Sequence, residues 1–133
     1  MAGLLNVGIK GESSVVVNDK NTAIAYGSGT VNVFATPAMA ALMENAAIST
    51  SGPQLEAGFT TVGTQINIKH LAATPIGMKV TATAELMEID GKRLLFKVEA
   101  RDEVDLIGTG MHERYVVQSD IFIKRATDKL ARK

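Results

Sequence analysis

Glu44 is the only charged residue between Thr36 and Ser51, a stretch otherwise built of helix formers and apolar side chains. Two readings are open for it. It either lies on a narrow exposed stripe with Asn45, or is a desolvated carboxylate suited to act as a general base or to orient one. His70 closes an alternating segment in which Thr64, Ile66, Ile68 and His70 share one parity, and Gln65, Asn67 and Lys69 share the other. The isoleucine face reads as the core face, so His70 should point inward, toward the helix that carries Glu44. A histidine on an apolar face is either a satisfied core residue or a catalyst. An unpartnered carboxylate expected in the same interior brings in the second reading, since a His–Glu pair can relay a proton near neutral pH.

Thr36 precedes Pro37, and a role as helix N-cap accounts for it fully. Thr36 and Glu44 lie within about 80° of each other around an ideal helix but about 12 Å apart along it. They cannot touch directly unless His70 bridges them, two subunits combine, or the helix start departs from ideal geometry. Gly63, just before the Thr64 segment, is either a bulge glycine or a point where a substrate carbonyl approaches a backbone N–H. His112 and Arg114 share one face of the last strand with Gly108 and Gly110. They either pair across strands with Glu85 or Glu99, or Arg114 contacts an anionic carrier. Lys124, Arg125, Lys129, Arg132 and Lys133 read as a solvated tail, with phosphate contact as the alternative.

The elements that must position these groups follow from local pattern. Val15-Val16-Val17 marks a first strand over 12–17, and residues 18–21 a turn. Gly27-Ser28-Gly29-Thr30 is the most flexible stretch before the first strong element. Thr36-Pro37 opens a long helix that Gly52-Pro53 ends, apolar nearly all round and so expected to be buried. Strands are then expected at 64–70, from Val80, from Arg93 to Val104 and from Leu106 to Ser119, with Asp90-Gly91 as a hairpin turn. The region from about 121 to 133 should be a charged tail, with a short helix at most.

An apolar helix cannot rest on a sheet that leaves its other side in water. The sheet must curl around it or a second subunit must cover it. This is α+β: the hotdog architecture, an antiparallel sheet of about five strands wrapped around one long central helix, in a single domain spanning 1–133. Joining two such sheets edge to edge would also cover an exposed edge strand, which points to a homodimer.

Composition excludes several classes. There is no cysteine and there are two histidines, so thiol chemistry, disulfides and a His-rich metal site are ruled out. The formal net charge is zero, which argues against nucleic acid as a partner. No apolar run is long enough for a membrane span and no secretory signal is apparent, so a cytoplasmic location is the expectation.

Three separated segments resemble one family. Val33-Phe34-Ala35-Thr36-Pro37 with Glu44 beyond it, the run from Gly63-Thr64-Gln65 through His70 to Pro75-Ile76-Gly77, and Ile107-Gly108-Thr109-Gly110-Met111-His112-Glu113-Arg114 are similar to the fluoroacetyl-CoA-thioesterase-like group of hotdog proteins. The resemblance covers about residues 10–120. It implies hydrolysis of an acyl-CoA thioester by Thr36, Glu44 and His70, with Gly63 and Arg114 at the oxyanion and CoA-side positions. It implies no metal and no cofactor beyond the CoA carried by the substrate.

The group's fluoroacetyl-selective member has bulky aromatics in the lid before the helix. Here Gly27-Ser28-Gly29-Thr30 stands there beside Tyr26. It also has an aromatic after the helix glutamate, where this chain has Asn45. These departures point to a broader or different short-acyl substrate. Two rival expectations remain: a hotdog hydratase or dehydratase, for which the usual Asp-then-His motif is missing, and a non-catalytic acyl-CoA-binding or sensor dimer.

Overall fold

The computed structural model describes residues 4–133. Its elements are β1 (Lys10–Val16), α1 (Ala23–Tyr26), α2 (Thr36–Ser51) followed by a 3-10 turn (Gly52–Gln54), β2 (Phe59–His70), β3 (Lys79–Asp90), β4 (Arg93–Arg101), β5 (Leu106–Gln118), and α3 (Ser119–Thr127) running into a second 3-10 turn (Asp128–Ala131). The five strands form one antiparallel sheet in the order β1-β3-β4-β5-β2. The expected plan of one strand, one long helix and four longer strands is what the chain adopts.

Period-two patterning explains which face meets the helix. Val80, Ala82, Ala84 and Leu86 of β3, and Leu94, Phe96, Val98 and Ala100 of β4, alternate into the core. Opposite them α2 buries Ala38, Met39, Leu42, Met43, Ala46 and Ala47. Small side chains on both surfaces let helix and sheet approach closely. On β5, Gly108 continues this surface, because a Cβ there would run into the Met39 and Met43 side chains. The β3–β4 hairpin turns at Gly91, whose φ of 61° is the left-handed conformation expected of an Asp-Gly turn.

Three local expectations are corrected. The N-cap of α2 is Ala35, not Thr36. The helix begins at Thr36 itself, and Ala35 has no side chain to cap with. Helix α2 is also not buried all round: Thr36, Pro37, Ala41, Asn45 and Ile48 are exposed and Glu44 is half-buried among them, a stripe at three- and four-residue spacing. Finally, β2 starts earlier than the Thr64 segment and contains a bulge, where the register with β5 slips between Gly63 and Gln65. The bulge takes Thr64 out of the inward parity. Its hydroxyl bonds Glu113 instead, while Ile66, Ile68 and His70 keep the inner face.

α1 was not expected, and the C-terminal helix starts before the charged residues, at Ser119. β2 lies at one edge of the sheet and has no strand beyond it among the described residues. Among those residues, no helix is long and apolar enough to cross a membrane.

Candidate active site

Thr36 and His70 meet. Thr36 Oγ1 lies 2.8 Å from His70 Nδ1. The two side chains come from the first turn of α2 and the last residue of β2. With Ala35 capping the helix, the threonine hydroxyl is free for this contact, and Pro37 needs no acceptor for a backbone N–H. The pair lines a cleft of about 400 Å³ whose walls include Ser28, Gly29, Val33, Phe34 and Leu71. One side of it is therefore the Gly27–Thr30 segment, which carries no large side chain.

The other nitrogen of His70 is the more informative. Nε2 is buried and has no hydrogen-bond partner among the described residues. A buried polar nitrogen left unpaired costs about 1–3 kcal/mol. Burial also pulls the His70 pKa below its ordinary 6.5, opposed by a backbone interaction at Ala72. A neutral imidazole is thus the favoured form. When Thr36 donates to Nδ1, the ring proton must sit on Nε2, which has no acceptor in good hydrogen-bond geometry among the described residues.

Glu44 does not supply that acceptor from the same chain. It lines a second cleft, of about 410 Å³, with Ala41, Asn45, Ile48, Thr61, Val62, Gly63 and Arg114, and His70 is not among its walls. Its side chain is 40% exposed, so within one protomer it is not the desolvated carboxylate paired with His70 that the helix pattern suggested. The stripe reading, with Asn45 beside it, describes it better. The reason is that α2 turns one face away from its own sheet, and Glu44 is on that face.

The histidine nearest Glu44 is His112, whose Nε2 is 3.9 Å from Glu44 Oε2. That is beyond hydrogen-bond distance. Gly63 faces the same cleft: a Cβ there would stand 3.1 Å from Glu44 Oε2 and 3.2 Å from an Arg114 terminal nitrogen. Both readings of Gly63, bulge and close approach, apply at once.

His112 and Arg114 do not pair with Glu85 or Glu99. Both turn inward from β5 and are almost fully buried. Arg114 Nε donates to Thr61 Oγ1 at 2.8 Å, and its Nη2 donates to the Thr61 carbonyl at 3.0 Å. Its Nη1 lies 3.1 Å from His112 Nε2. Burial lowers the Arg114 pKa, with the Glu44 charge opposing it. Only the Nη1 edge is left to face the Glu44 cleft. Thr61, which anchors this arginine, gave no signal in the sequence; the inward parity of Phe59 and Thr61 ahead of the bulge could have exposed it.

The protomer therefore presents two half-sites: Thr36 with His70, and Glu44 with Gly63, His112 and Arg114. Among the described residues no cluster of His, Asp and Glu could hold a metal ion. The basic residues of α3 and the segment beyond it are exposed, and Lys124 pairs with Asp128 at 3.0 Å.

A family model described as fluoroacetyl-CoA-specific thioesterase matches residues 17–120. A fluoroacetyl-CoA thioesterase of Streptantibioticus cattleyicolor is 46% identical over 97 residues, 73% of this chain and 70% of that protein. A crystal structure of the fluoroacetyl-CoA thioesterase superposes with a TM-score of 0.88 at 39% identity, covering 94% of this chain and 97% of that one. A variant of that enzyme in complex with acetyl-CoA gives 0.88 at 37%, covering 94% and 98%. A hypothetical protein of Thermus thermophilus, a thioesterase superfamily member, gives 0.86 at 27%, covering 96% and 97%.

Proposed function

The chain belongs to the fluoroacetyl-CoA-specific thioesterase family, a family of hotdog thioester hydrolases, and from that premise we propose that it hydrolyses short-chain acyl-CoA thioesters at a site made of Thr36, His70 and Glu44. The observation that carries this reading is the 2.8 Å contact between Thr36 Oγ1 and His70 Nδ1 on the wall of an open cleft.

In the proposed reaction His70 Nδ1 takes the hydroxyl proton as Thr36 Oγ attacks the thioester carbonyl. The C–S bond breaks and the CoA thiolate receives the proton. Water then cleaves the acyl-threonine ester, with His70 as base, to release the acid. A second route is supported by the exposure of Glu44 beside Gly63: the carboxylate activates water directly while Thr36 holds the carbonyl or the water. Trapping an acyl-Thr36 adduct by rapid-quench mass spectrometry supports the first route. Burst-free kinetics with no adduct supports the second. Both routes use only water, so the proposal includes no metal and no cofactor.

The proposed working form is a cytoplasmic homodimer. Two features support pairing through the free edge of β2. That edge is a 12-residue strand with no neighbour on its outer side among the described residues, and the exposed stripe of α2 lies beside it. Exposed strand edges invite pairing. A two-fold axis crossing β2 between Ile66 and Asn67 would bring the Gly63 end of one copy against the His70 end of the other. Glu44 of the partner subunit would then approach the cleft that Thr36 and His70 line. The closing of the two half-sites would also resolve the long axial separation of Thr36 and Glu44.

The lid lined by Ser28 and Gly29 leaves the Thr36 cleft unfilled, which supports short acyl groups broader than fluoroacetyl. Gly63 and Arg114 are assigned to the carbonyl and CoA side, Arg114 through its Nη1 edge only. A panel of acyl-CoAs with a free-thiol readout tests the proposal. Release of CoA from short-chain members, abolished in Thr36→Val, is the expected result; no release from any member would end it. Light scattering should give the mass of two chains.

A further inference from the structure

Behind Glu44, His112 takes no part in the steps above, yet both of its ring nitrogens are engaged. The residue is 1% exposed and its ring sits 6.4 Å, centroid to centroid, from that of Phe96. Nδ1 lies 2.8 Å from the carbonyl oxygen of Gln65, the residue at which the β2 register shifts. A carbonyl can only accept, so Nδ1 carries the proton. Nε2 lies 3.1 Å from Arg114 Nη1, and a guanidinium can only donate. Nε2 therefore presents its lone pair. The surroundings allow one form, the neutral imidazole protonated on Nδ1.

We propose that His112 is a positioning residue for the reaction: it accepts a hydrogen bond from Arg114 and so holds the guanidinium edge that faces Glu44 and Gly63. Three of the five Arg114 N–H groups are taken, two by Thr61 and one by His112. The Thr61 bonds pin one side of the plane; His112 fixes the tilt of the Nη1 side. That tilt matters because the position of a Gly63 Cβ stands 3.2 Å from Nη1 and 3.1 Å from Glu44 Oε2, so a small rotation moves charge into or out of the cleft.

Protonation of His112 would replace the acceptor by a donor against a donor. The charged groups facing it are Arg114, on its own strand, and Glu44 from α2; Phe96 from β4 and the Gln65 backbone from β2 carry no charge. Burial already holds the His112 pKa below 6.5. The inference rests on the reading that Glu44 serves the reaction, and Glu44→Gln tests that reading separately.

Two amide substitutions separate the two bonds. In His112→Gln an amide oxygen can stand where Nε2 stood and accept from Arg114. In His112→Asn the shorter amide can donate to Gln65 but cannot reach Arg114. The expected result is that His112→Asn lowers kcat/KM about 10- to 100-fold while His112→Gln stays within about 5-fold of the parent. The acid limb of the pH profile should become shallower in His112→Gln relative to its own plateau, leaving the part set by protonation of the His70 base. Equal activities of the two variants, or a larger loss in His112→Gln, would overturn the proposal.

Nitrogen-15 NMR of the histidine-labelled parent protein needs no variant to fold. It should show His112 protonated on Nδ1 and not on Nε2 at neutral pH. The opposite tautomer would overturn the proposal as well. If Glu44→Gln retains full activity while these signatures hold, the assignment of Glu44 is what has failed.

Discussion

At the scale of residues, the site depends on one hydroxyl being released from local work. A threonine ahead of a proline reads as a cap, and a capping hydroxyl would be spent on a backbone N–H. Ala35 occupies that position instead, so the Thr36 hydroxyl reaches His70. Thr36→Val, which replaces the hydroxyl with a methyl of similar size, should therefore cost little stability, about 0.5 kcal/mol, while lowering kcat by about 100-fold or more. Steady-state kinetics beside a thermal melt checks both halves. Gly63→Ala should lower both melting temperature and kcat/KM, because the added Cβ meets Glu44, which can swing away, and also Arg114 and His112, which are buried and hydrogen-bonded in place.

The two histidines also make a stability prediction. Burial lowers both pKa values below 6.5, so between the folded and unfolded values the unfolded chain binds more protons. Stability is then full above pH 6.5 and falls as pH drops through the depressed folded values. Melts at pH 7.5 and pH 5.5 should show the lower temperature at the lower pH; a flat response would contradict the burial of these rings.

At the scale of elements, the bulge in β2 decides which side chains share the interior. Gly63 and His70 are seven residues apart, so strict alternation would put them on opposite faces. The bulge at Thr64 brings both to the helix side. Gly110 holds that arrangement: a Cβ there would press on the β2 backbone at Asn67 and Ile68, where nothing flexible can yield. Gly110→Ala should destabilise the protein by about 1–3 kcal/mol and reduce activity together, through displacement of β2. Chemical denaturation measures the first and thiol release the second.

Sequence patterning carried the strands and the helix because period two and helix stop signals are local. The inward parity of Ile66, Ile68 and His70 was legible for the same reason. A bulge was one of two readings open at Gly63, but its effect on Thr64 was not legible, since an extra residue leaves the alternation intact on either side and only shifts its phase. The exposed stripe through Glu44 and Asn45 was one of two readings, and its width was not legible, because alanines suit a buried face and an exposed one equally well and composition does not separate them. The roles of Thr61 and His112 depend on contacts across strands far apart in sequence, which spacing does not encode.

At the scale of the whole molecule, one protomer holds the parts of a thioesterase site in two places, and the account requires a second copy to join them. Mixing two inactive variants tests this most directly. Thr36→Val and Glu44→Gln dimers, each inactive alone, are dissociated together and allowed to reassociate. If Thr36 and His70 of one copy work with Glu44 of the partner subunit, each mixed dimer has one site carrying both substitutions and one carrying neither. The account predicts recovered thioester hydrolysis, up to about one quarter of the parent rate for random pairing, because about half the dimers are mixed and each has one intact site of two. Reassociated dimers that exchange subunits yet stay inactive would contradict it.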